Sequence, residues 1–312
     1  MPRFSIVVPM YNVEPYIQEC LDSLVNQTYR DLEVVCVDDV STDGTRDIVQ
    51  SFCDRDKRVR LVRNKDNMHS FATRHVGARE TTGEYLLFVD GDDALTTDAL
   101  EKLDAQLRKN PVDILQFPMK AVVDPLSDVQ LREDDWYLAQ SEPKLLTGAE
   151  IVGAICYGQA DDMCVHHRVY RGNMARGVLA KLGYERGLFA SEDIVELVAL
   201  MIAAKSYEVI SSQPYYLYYV GRGLSEASDV TTREAFEATC AEKRHCYEAL
   251  TRYLDREGIR DAGIRVPVEW RWRYSCAQTL YQWRGALPFD ERIGAIQRYA
   301  ELWPAAWVLP SV

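Results

Sequence analysis

Three aspartates close an apolar run in LLFVDGDDAL (86–95): Asp90, Asp92 and Asp93. Like charges this close oppose one another's ionisation, so the cluster calls for a compensating proton or cation. Asp90 and Asp92, one residue apart at the mouth of a strand, offer the hard oxygen donors that suit Mg²⁺ or Mn²⁺. Such a site leaves further coordination positions to phosphate or water. An acidic turn capping the next helix is the alternative for the same residues. A calcium loop of the EF-hand kind is excluded by Ala94, which stands where a third oxygen ligand is needed. A second acidic pair, Glu192-Asp193 after Ser191, opens an apolar helical pattern. A carboxylate in a first helical turn faces the positive end of the helix, a setting that suits a general base and an ordinary cap alike. A third group, DDMCVHH (161–167), gathers Asp161, Asp162, Cys164, His166 and His167. Its spacing fits no strong metal-ligand pattern. Alternation along a strand would set Cys164 and His166 on one face and His167 on the other, so these histidines read as core or surface residues.

The elements that must position these residues alternate between two periods. FSIVVP (4–9), LEVVCVDD (32–39), RVRLVRN (58–64) and EYLLFVD (84–90) read as strands, as does DILQFPM (113–119). Between them Ile17, Leu21 and Leu24 recur at helical spacing. STDGTRDIVQSF carries Asp43 as an N-cap, SFATRHVGARE gives a third helix, and Leu100, Leu103 and Leu107 share one face of a fourth. This order predicts right-handed crossovers and a largely parallel sheet, whose ligands bind beyond the carboxyl ends of the strands. Pro9 to Asn12, Asp38-Asp39 and Asp90 to Asp93 all fall at those ends and belong to one crevice. VVDPLSDVQLREDD (122–135) reads as an acidic loop or hairpin. SEDIVELVALMI (191–202) reads as an amphipathic helix, VGRGLSEAS (220–228) as a hinge, and the rest as helical.

The chain has 312 residues and a formal net charge of −12, which argues against nucleic acid as a partner, because phosphate binding needs a basic face. From residue 241 onward there are 11 Lys and Arg against 9 Asp and Glu; the first 240 residues hold 25 against 39. The shift marks the tail as a unit with a different surface. Eight scattered cysteines without a CxxC pair read as reduced thiols of a cytosolic protein. No apolar run approaches the roughly 20 residues of a membrane helix, and the N-terminus lacks signal-peptide features.

Taken together, FSIVVPMYNVEPYIQECLDSLVNQTYRDLEVVCVDDVSTDGT and GEYLLFVDGDD resemble the N-terminal halves of family 2 glycosyltransferases, well up to about residue 115 and more weakly through 165–225. The resemblance implies a GT-A fold of the α/β class: residues 1–118 as the nucleotide-sugar half, 119–225 as the acceptor half, and 226–312 as a helical extension. It implies that Asp92 holds a metal bridging the donor diphosphate, with Asp90 on the ribose or the metal's water shell and Gly91 in the donor-binding set. Pro9, Tyr11 and Asp39 would line the nucleobase pocket, where a carboxylate accepts the N3–H of uracil and a ring face stacks. Arg74 corresponds to a helix arginine near the uracil and diphosphate, and Asp193 to the general base. The chain departs from the family at Val40, usually Gly, and at His69 and His75, often Gly and Asn. It departs again at His166 and His167, near a usual Lys.

The implied activity is a metal-dependent, inverting transfer from a UDP-sugar to a hydroxyl of a glycan, polysaccharide or lipid-linked saccharide, with Mn²⁺ or Mg²⁺ as cofactor. Two alternatives are a phosphatase of the haloacid-dehalogenase kind, whose aspartate motif LLFVDGDDAL also resembles, and a non-catalytic nucleotide-sugar binder. In the tail, Trp272, Cys276, Leu280 and Trp283 recur at helical spacing near Arg271, Arg273 and Arg284. They read as a helical subdomain packed on the catalytic core or on a second copy. The other reading is a peripheral contact with the inner face of the membrane.

Overall fold

A computed structural model describes residues 1–124, 144–158, 163–184, 188, 191–222, 232–286 and 289–303, with backbone only at 282–286, 289–291 and 293–295. The chain opens with β1 (Phe4–Met10), α1 (Ile17–Val25), β2 (Leu32–Asp38), α2 (Thr45–Arg55), β3 (Val59–Arg63), α3 (His69–Glu80) and β4 (Tyr85–Phe88). A two-residue β5 (Ala94–Leu95), α4 (Ala99–Lys109), β6 (Ile114–Gln116) and β7 (Met119–Val123) follow. Then come β8 (Lys144–Thr147), α5 (Glu150–Cys156), β9 (Arg168–Arg171), α6 (Gly172–Leu182), α7 (Glu192–Ala203), β10 (Ser206–Val209) and β11 (Tyr216–Val220). Three helices end the chain: α8 (Arg233–Arg256), α9 (Ala262–Ala286) and α10 (Phe289–Leu302).

The expected parallel sheet is present, with strands in the order β3-β2-β1-β4-β9-β6-β10-β8. β3, β2, β1 and β4 run parallel, as β–α–β crossovers require. The alternation of side chains divides them between two cores. Val7, Val35, Val37, Leu86 and Phe88 join one core with α3, α6 and α7. Ile6, Val8, Val34, Cys36 and Leu87 join the other with α1, α2 and α4. Gly77 lets α3 lie directly on the sheet, since a Cβ there would collide with Val7 and Val37.

Two expectations are corrected. DILQFPM is not one strand: Ile114–Gln116 pairs in the large sheet, whereas Met119–Val123 pairs with β11 in a small sheet that also holds β5. Pro118, which has no N–H to give a ladder, stands at the break. The N-cap of α2 is Gly44; Asp43 instead accepts the N–H groups of Thr45 and Glu14 and ties the β2–α2 and β1–α1 loops together. β9, from the second half of the chain, lies antiparallel between β4 and β6, so the two halves share one sheet. The acidic stretch expected at 122–135 falls mostly, and the hinge at 220–228 partly, outside the described residues.

The tail does not fold apart. Trp272, Cys276 and Leu280 of α9 are buried in the same core as Val195 and Leu197 of α7, and α8 packs on α7. Arg271 is buried, and Arg273 pairs with Glu269. The side chains of Trp283 and Arg284 lie outside the described ones. Among the described residues no helix is long and apolar enough to cross a membrane.

Candidate active site

The carboxyl ends of β1, β2 and β4 open on one crevice, and the backbone there is under tension. Five non-glycine residues have positive φ: Asn12 (53°), Val40 (66°), His69 (62°), His167 (53°) and Ser191 (83°). Each stands at a loop–element junction facing this region: after β1, after β2, at the start of α3, before β9 and before α7. Such conformations persist only where the surroundings impose them, and they gather at functional sites. Val40 and His69, two of the departures noted in the sequence, both take the left-handed backbone that Gly adopts without penalty.

The aspartates after β4 divide into two kinds. Asp93 is turned inward, accepting the Tyr216 hydroxyl at 2.7 Å and the Tyr219 N–H at 2.8 Å. Burial, then the charges of Asp92 and Asp90, push its carboxyl well above the usual range despite those bonds. Asp90 and Asp92 stay partly exposed. Gly91 between them is closely packed, since a Cβ there would sit 3.1 Å from Val13 and 3.3 Å from the Pro9 carbonyl oxygen and would press on the β1–α1 loop. Asp90 lies 3.8 Å from Nδ1 of His166, whose ring is stacked on Tyr216 and Tyr218; burial pushes that imidazole below its ordinary value.

On the side where the sequence reading expects the nucleotide, Pro9 is buried and Tyr11 half-buried. Asp39 is where the sequence places it, but its carboxylate is already engaged. One oxygen accepts Asn64 Nδ2 at 2.7 Å and Met68 N at 2.8 Å, and the other accepts His69 N at 2.7 Å. Asp39 thereby fixes the loop that starts α3, and a uracil N3–H would have to share these oxygens.

Arg74 is not left facing an open diphosphate site. Its guanidinium is buried against α7, with Nη2 2.5 Å from Asp193, 2.8 Å from Glu196 and 3.5 Å from Glu192. Burial alone would lower its pKa; Asp193, then Glu196 and Glu192, outweigh that and raise it. Glu192 accepts the Ser70 hydroxyl and is pushed up to about 8 by burial and by the charge of Asp193. Glu196, wholly buried, also lies 2.9 Å from Nε2 of His75, whose Nδ1 donates to the Gly183 carbonyl. Asp193 is the most exposed of the three acids, and among the described residues its second oxygen meets only the Val165 N–H, at 3.4 Å.

The segment 163–167 joins these two acidic groups, with Val165 on Asp193 and His166 beside Asp90. It is not a strand, and the alternation expected for it fails. Cys164, His166 and His167 converge, each offering an atom within 4.8 Å of the others. Asp161 and Asp162 lie outside the described residues. Sequence reasoning passed over Arg222. It stacks on Tyr219 and Tyr16, pairs with Glu19 (2.8 Å) and Asp124 (2.5 Å), and donates to the Asp92 carbonyl. Its only sequence signal was a lone Arg between two glycines.

The profile of glycosyl transferase family 2 matches residues 5–170, more than half of the chain. The uncharacterized glycosyltransferase EpsJ of Bacillus subtilis is 39% identical over 115 residues, 37% of this chain and 33% of that protein. The poly(ribitol-phosphate) beta-glucosyltransferase of Bacillus spizizenii is 39% identical over 123 residues, 38% of this chain and 19% of its own length. The chain thus matches a third or less of the length of these two relatives. Among solved structures, Staphylococcus aureus TarS 1–349 in complex with UDP-GlcNAc superposes with a TM-score of 0.60 at 22% identity, covering 96% of this chain and 90% of that one. The mannosyltransferase PcManGT of Pyrobaculum calidifontis, in complex with GDP-Man and Mn²⁺, gives 0.54 at 17%, covering 99% and 79%. The mixed sheet flanked by helices is the fold these structures share, and the chain belongs to glycosyltransferase family 2.

Proposed function

We propose that the chain transfers a sugar from a UDP-sugar to a saccharide hydroxyl with inversion at the anomeric carbon. The observation that carries this is the short segment 163–167, which sets Asp193 and Asp90 at two ends of one crevice. Asp193 is the base. Its Oδ1 is held by Arg74, while Oδ2 has among the described residues only a long contact to Val165 and is the oxygen to which an acceptor hydroxyl delivers its proton. The deprotonated oxygen attacks the anomeric carbon as the bond to UDP breaks. Pro9 and Tyr11 line the base pocket, and Asp39 shapes it by holding Asn64, Met68 and His69.

Asp90 and Asp92 fit a hard divalent cation: both are partly exposed carboxylates facing the crevice, while Asp93 is withdrawn into bonds with Tyr216 and Tyr219. When bound there, Mn²⁺ or Mg²⁺ supplies Lewis-acid stabilisation of the charge that grows on UDP. TarS with UDP-GlcNAc supports the uridine donor, and PcManGT with Mn²⁺ supports the cation. Relatives named for poly(ribitol-phosphate) glucosylation and teichuronic acid biosynthesis support a cell-envelope polymer as acceptor.

The test is a thermal-shift panel of UDP-, GDP- and dTDP-sugars with and without Mn²⁺, on the wild type and on Asp92→Asn. UDP-sugars should raise the melting temperature only with Mn²⁺, and Asp92→Asn should abolish that rise while melting normally on its own. An equal UDP shift in chelator overturns the metal site; a larger GDP shift overturns the base pocket.

A further inference from the structure

Cys164, His166 and His167 have the composition of a zinc site, but the hydrogen bonds around them point elsewhere. Nη1 of Arg168 lies 3.0 Å from Nε2 of His167. A guanidinium can only donate, so Nε2 is the acceptor and the neutral ring carries its proton on Nδ1. Arg168 has little freedom to leave: it is fully buried, its Nε donates to the Tyr207 hydroxyl at 2.8 Å, and Nη1 also donates to the Cys164 carbonyl. Nδ1 of His167 in turn lies 3.3 Å from Cys164 Sγ. The N–H therefore points at sulfur, where a metal would need a lone pair. The sulfur thus accepts from an imidazole held by a buried guanidinium, and the positive charge of Arg168 behind that ring opposes a cation.

We propose that Cys164 is an activated thiol in the wall of the crevice, a site of reversible oxidation by peroxides, set up by His167 and Arg168. The sulfur electron pair attacks one peroxide oxygen and the O–O bond breaks. The thiolate is oxidised to sulfenic acid, and the departing hydroxide takes a proton from solvent. A second feature points to the same place. His166 is 8% exposed, its Nδ1 makes no hydrogen bond among the described residues and faces Asp90 at 3.8 Å, and its ring offers a nitrogen within 4.8 Å of the Cys164–His167 pair, where the new S–OH would form. The effect reaches the crevice through the neighbouring residues, since Val165 touches Asp193 and His166 faces Asp90. The other cysteines are differently placed. Cys20, Cys36, Cys156, Cys240, Cys246 and Cys276 are buried, and Cys53, the other half-buried one, is pushed up by burial and then by Asp54.

The experiment is alkylation of the native full-length chain with iodoacetamide at pH 7, followed cysteine by cysteine by mass spectrometry. Cys164 should react roughly tenfold faster than Cys53. In dilute hydrogen peroxide it should be the first to capture a sulfenic-acid trap. His167→Gly keeps the left-handed backbone and removes the donor, so Cys164 should fall to the rate of Cys53. His167→Asn, which tolerates the same φ and can donate, should restore part of the reactivity. Equal rates for the two cysteines overturn the proposal, and so does a fast Cys164 that His167→Gly leaves unchanged. One Zn²⁺ per chain that protects Cys164 from alkylation would make the cluster a metal site instead. No turnover is measured, so an error in the proposed donor or acceptor leaves the outcome untouched.

Discussion

At the end of β4, Asp90, Asp92 and Asp93 crowd into four residues; across the crevice, Glu192, Asp193 and Glu196 occupy the first turns of α7. The α7 group carries its own cation, because Arg74 lies within 3.5 Å of all three acids. The β4 group is arranged differently: His166 lies 3.8 Å from Asp90, and Arg222 donates to the Asp92 carbonyl while giving ion pairs to Glu19 and Asp124. Its relief is different: Asp93 is pushed towards its neutral form, and Asp90 and Asp92 keep one side open to the crevice. One cluster is held by a guanidinium within the protein; the other, on the proposed function, takes its cation from what it binds.

The comparison is tested most severely at Arg74. Arg74→Met strands Asp193 and the wholly buried Glu196 without their cation and should lower stability by roughly 3–5 kcal/mol. Asp92→Asn, which removes a charge from the β4 cluster, should change stability in chelator by no more than about 0.5 kcal/mol. Urea denaturation of both variants at pH 7 decides it. A loss under about 1 kcal/mol for Arg74→Met means that the α7 acids find another partner, and the contrast fails.

Asp193→Asn sharpens the functional side of the same contrast. It keeps the side-chain volume and an oxygen for Arg74 but cannot accept a proton, so transfer should fall by about 100-fold or more with donor affinity unchanged. Initial rates and UDP-sugar binding measured on one preparation separate the two. Near-normal transfer would move the base to another residue, with Glu192 next in line.

Glu192 tests whether Arg74 holds the α7 cluster at every pH. Its carboxyl, raised to about 8 by burial and by Asp193, holds a proton more tightly in the folded chain than in the unfolded one. That contribution to stability is fully present below the unfolded value near 4.5 and is lost as pH rises through 8. Glu192→Gln, always neutral and still able to accept from Ser70, should match the wild type at pH 4 and exceed it at pH 8.5, by on the order of a few kcal/mol. Stability curves that stay parallel across that range would show that Arg74 already satisfies all three acids in their charged forms.

Much of the β4 cluster was legible because it is local. An apolar run ending in aspartates names both the strand and its carboxyl end, and the parallel topology then fixes which crevice they face. The α7 cluster was legible only in part. Asp193 stood out at a helix start, but Arg74 lies 119 residues before it, and nothing in either stretch says that the two meet. The insertion of β9 between β4 and β6 brings them together, and that pairing depends on strand edges rather than on hydrophobic period. The convergence of Cys164 and His167, which the sequence reading set on opposite faces, was hidden for a related reason: the alternation rule assumes extended backbone, and His167 at φ 53° is not extended.

Val40 and Ser191 carry the comparison into the backbone, with one strained residue beside each half of the crevice (φ 66° and 83°). For a β-branched residue the left-handed region costs roughly 1–2 kcal/mol, whereas Gly enters it freely but gives up about 0.5–1 kcal/mol of unfolded-chain freedom. Val40→Gly should therefore stabilise the protein by up to about 1 kcal/mol. Ser191→Gly, replacing a small unbranched residue, should change it by less than about 0.5 kcal/mol. Donor binding then tells what the strain at Val40 is for. If Val40→Gly melts higher and binds UDP-sugar as before, Val40 is a tolerated misfit in a loop already fixed by Asp38, which accepts the Ser41 N–H. If the higher melting temperature comes with weaker binding, the stiffer valine holds the nucleotide side in its bound shape, and the nucleotide half is preorganised by its backbone as the α7 half is by Arg74.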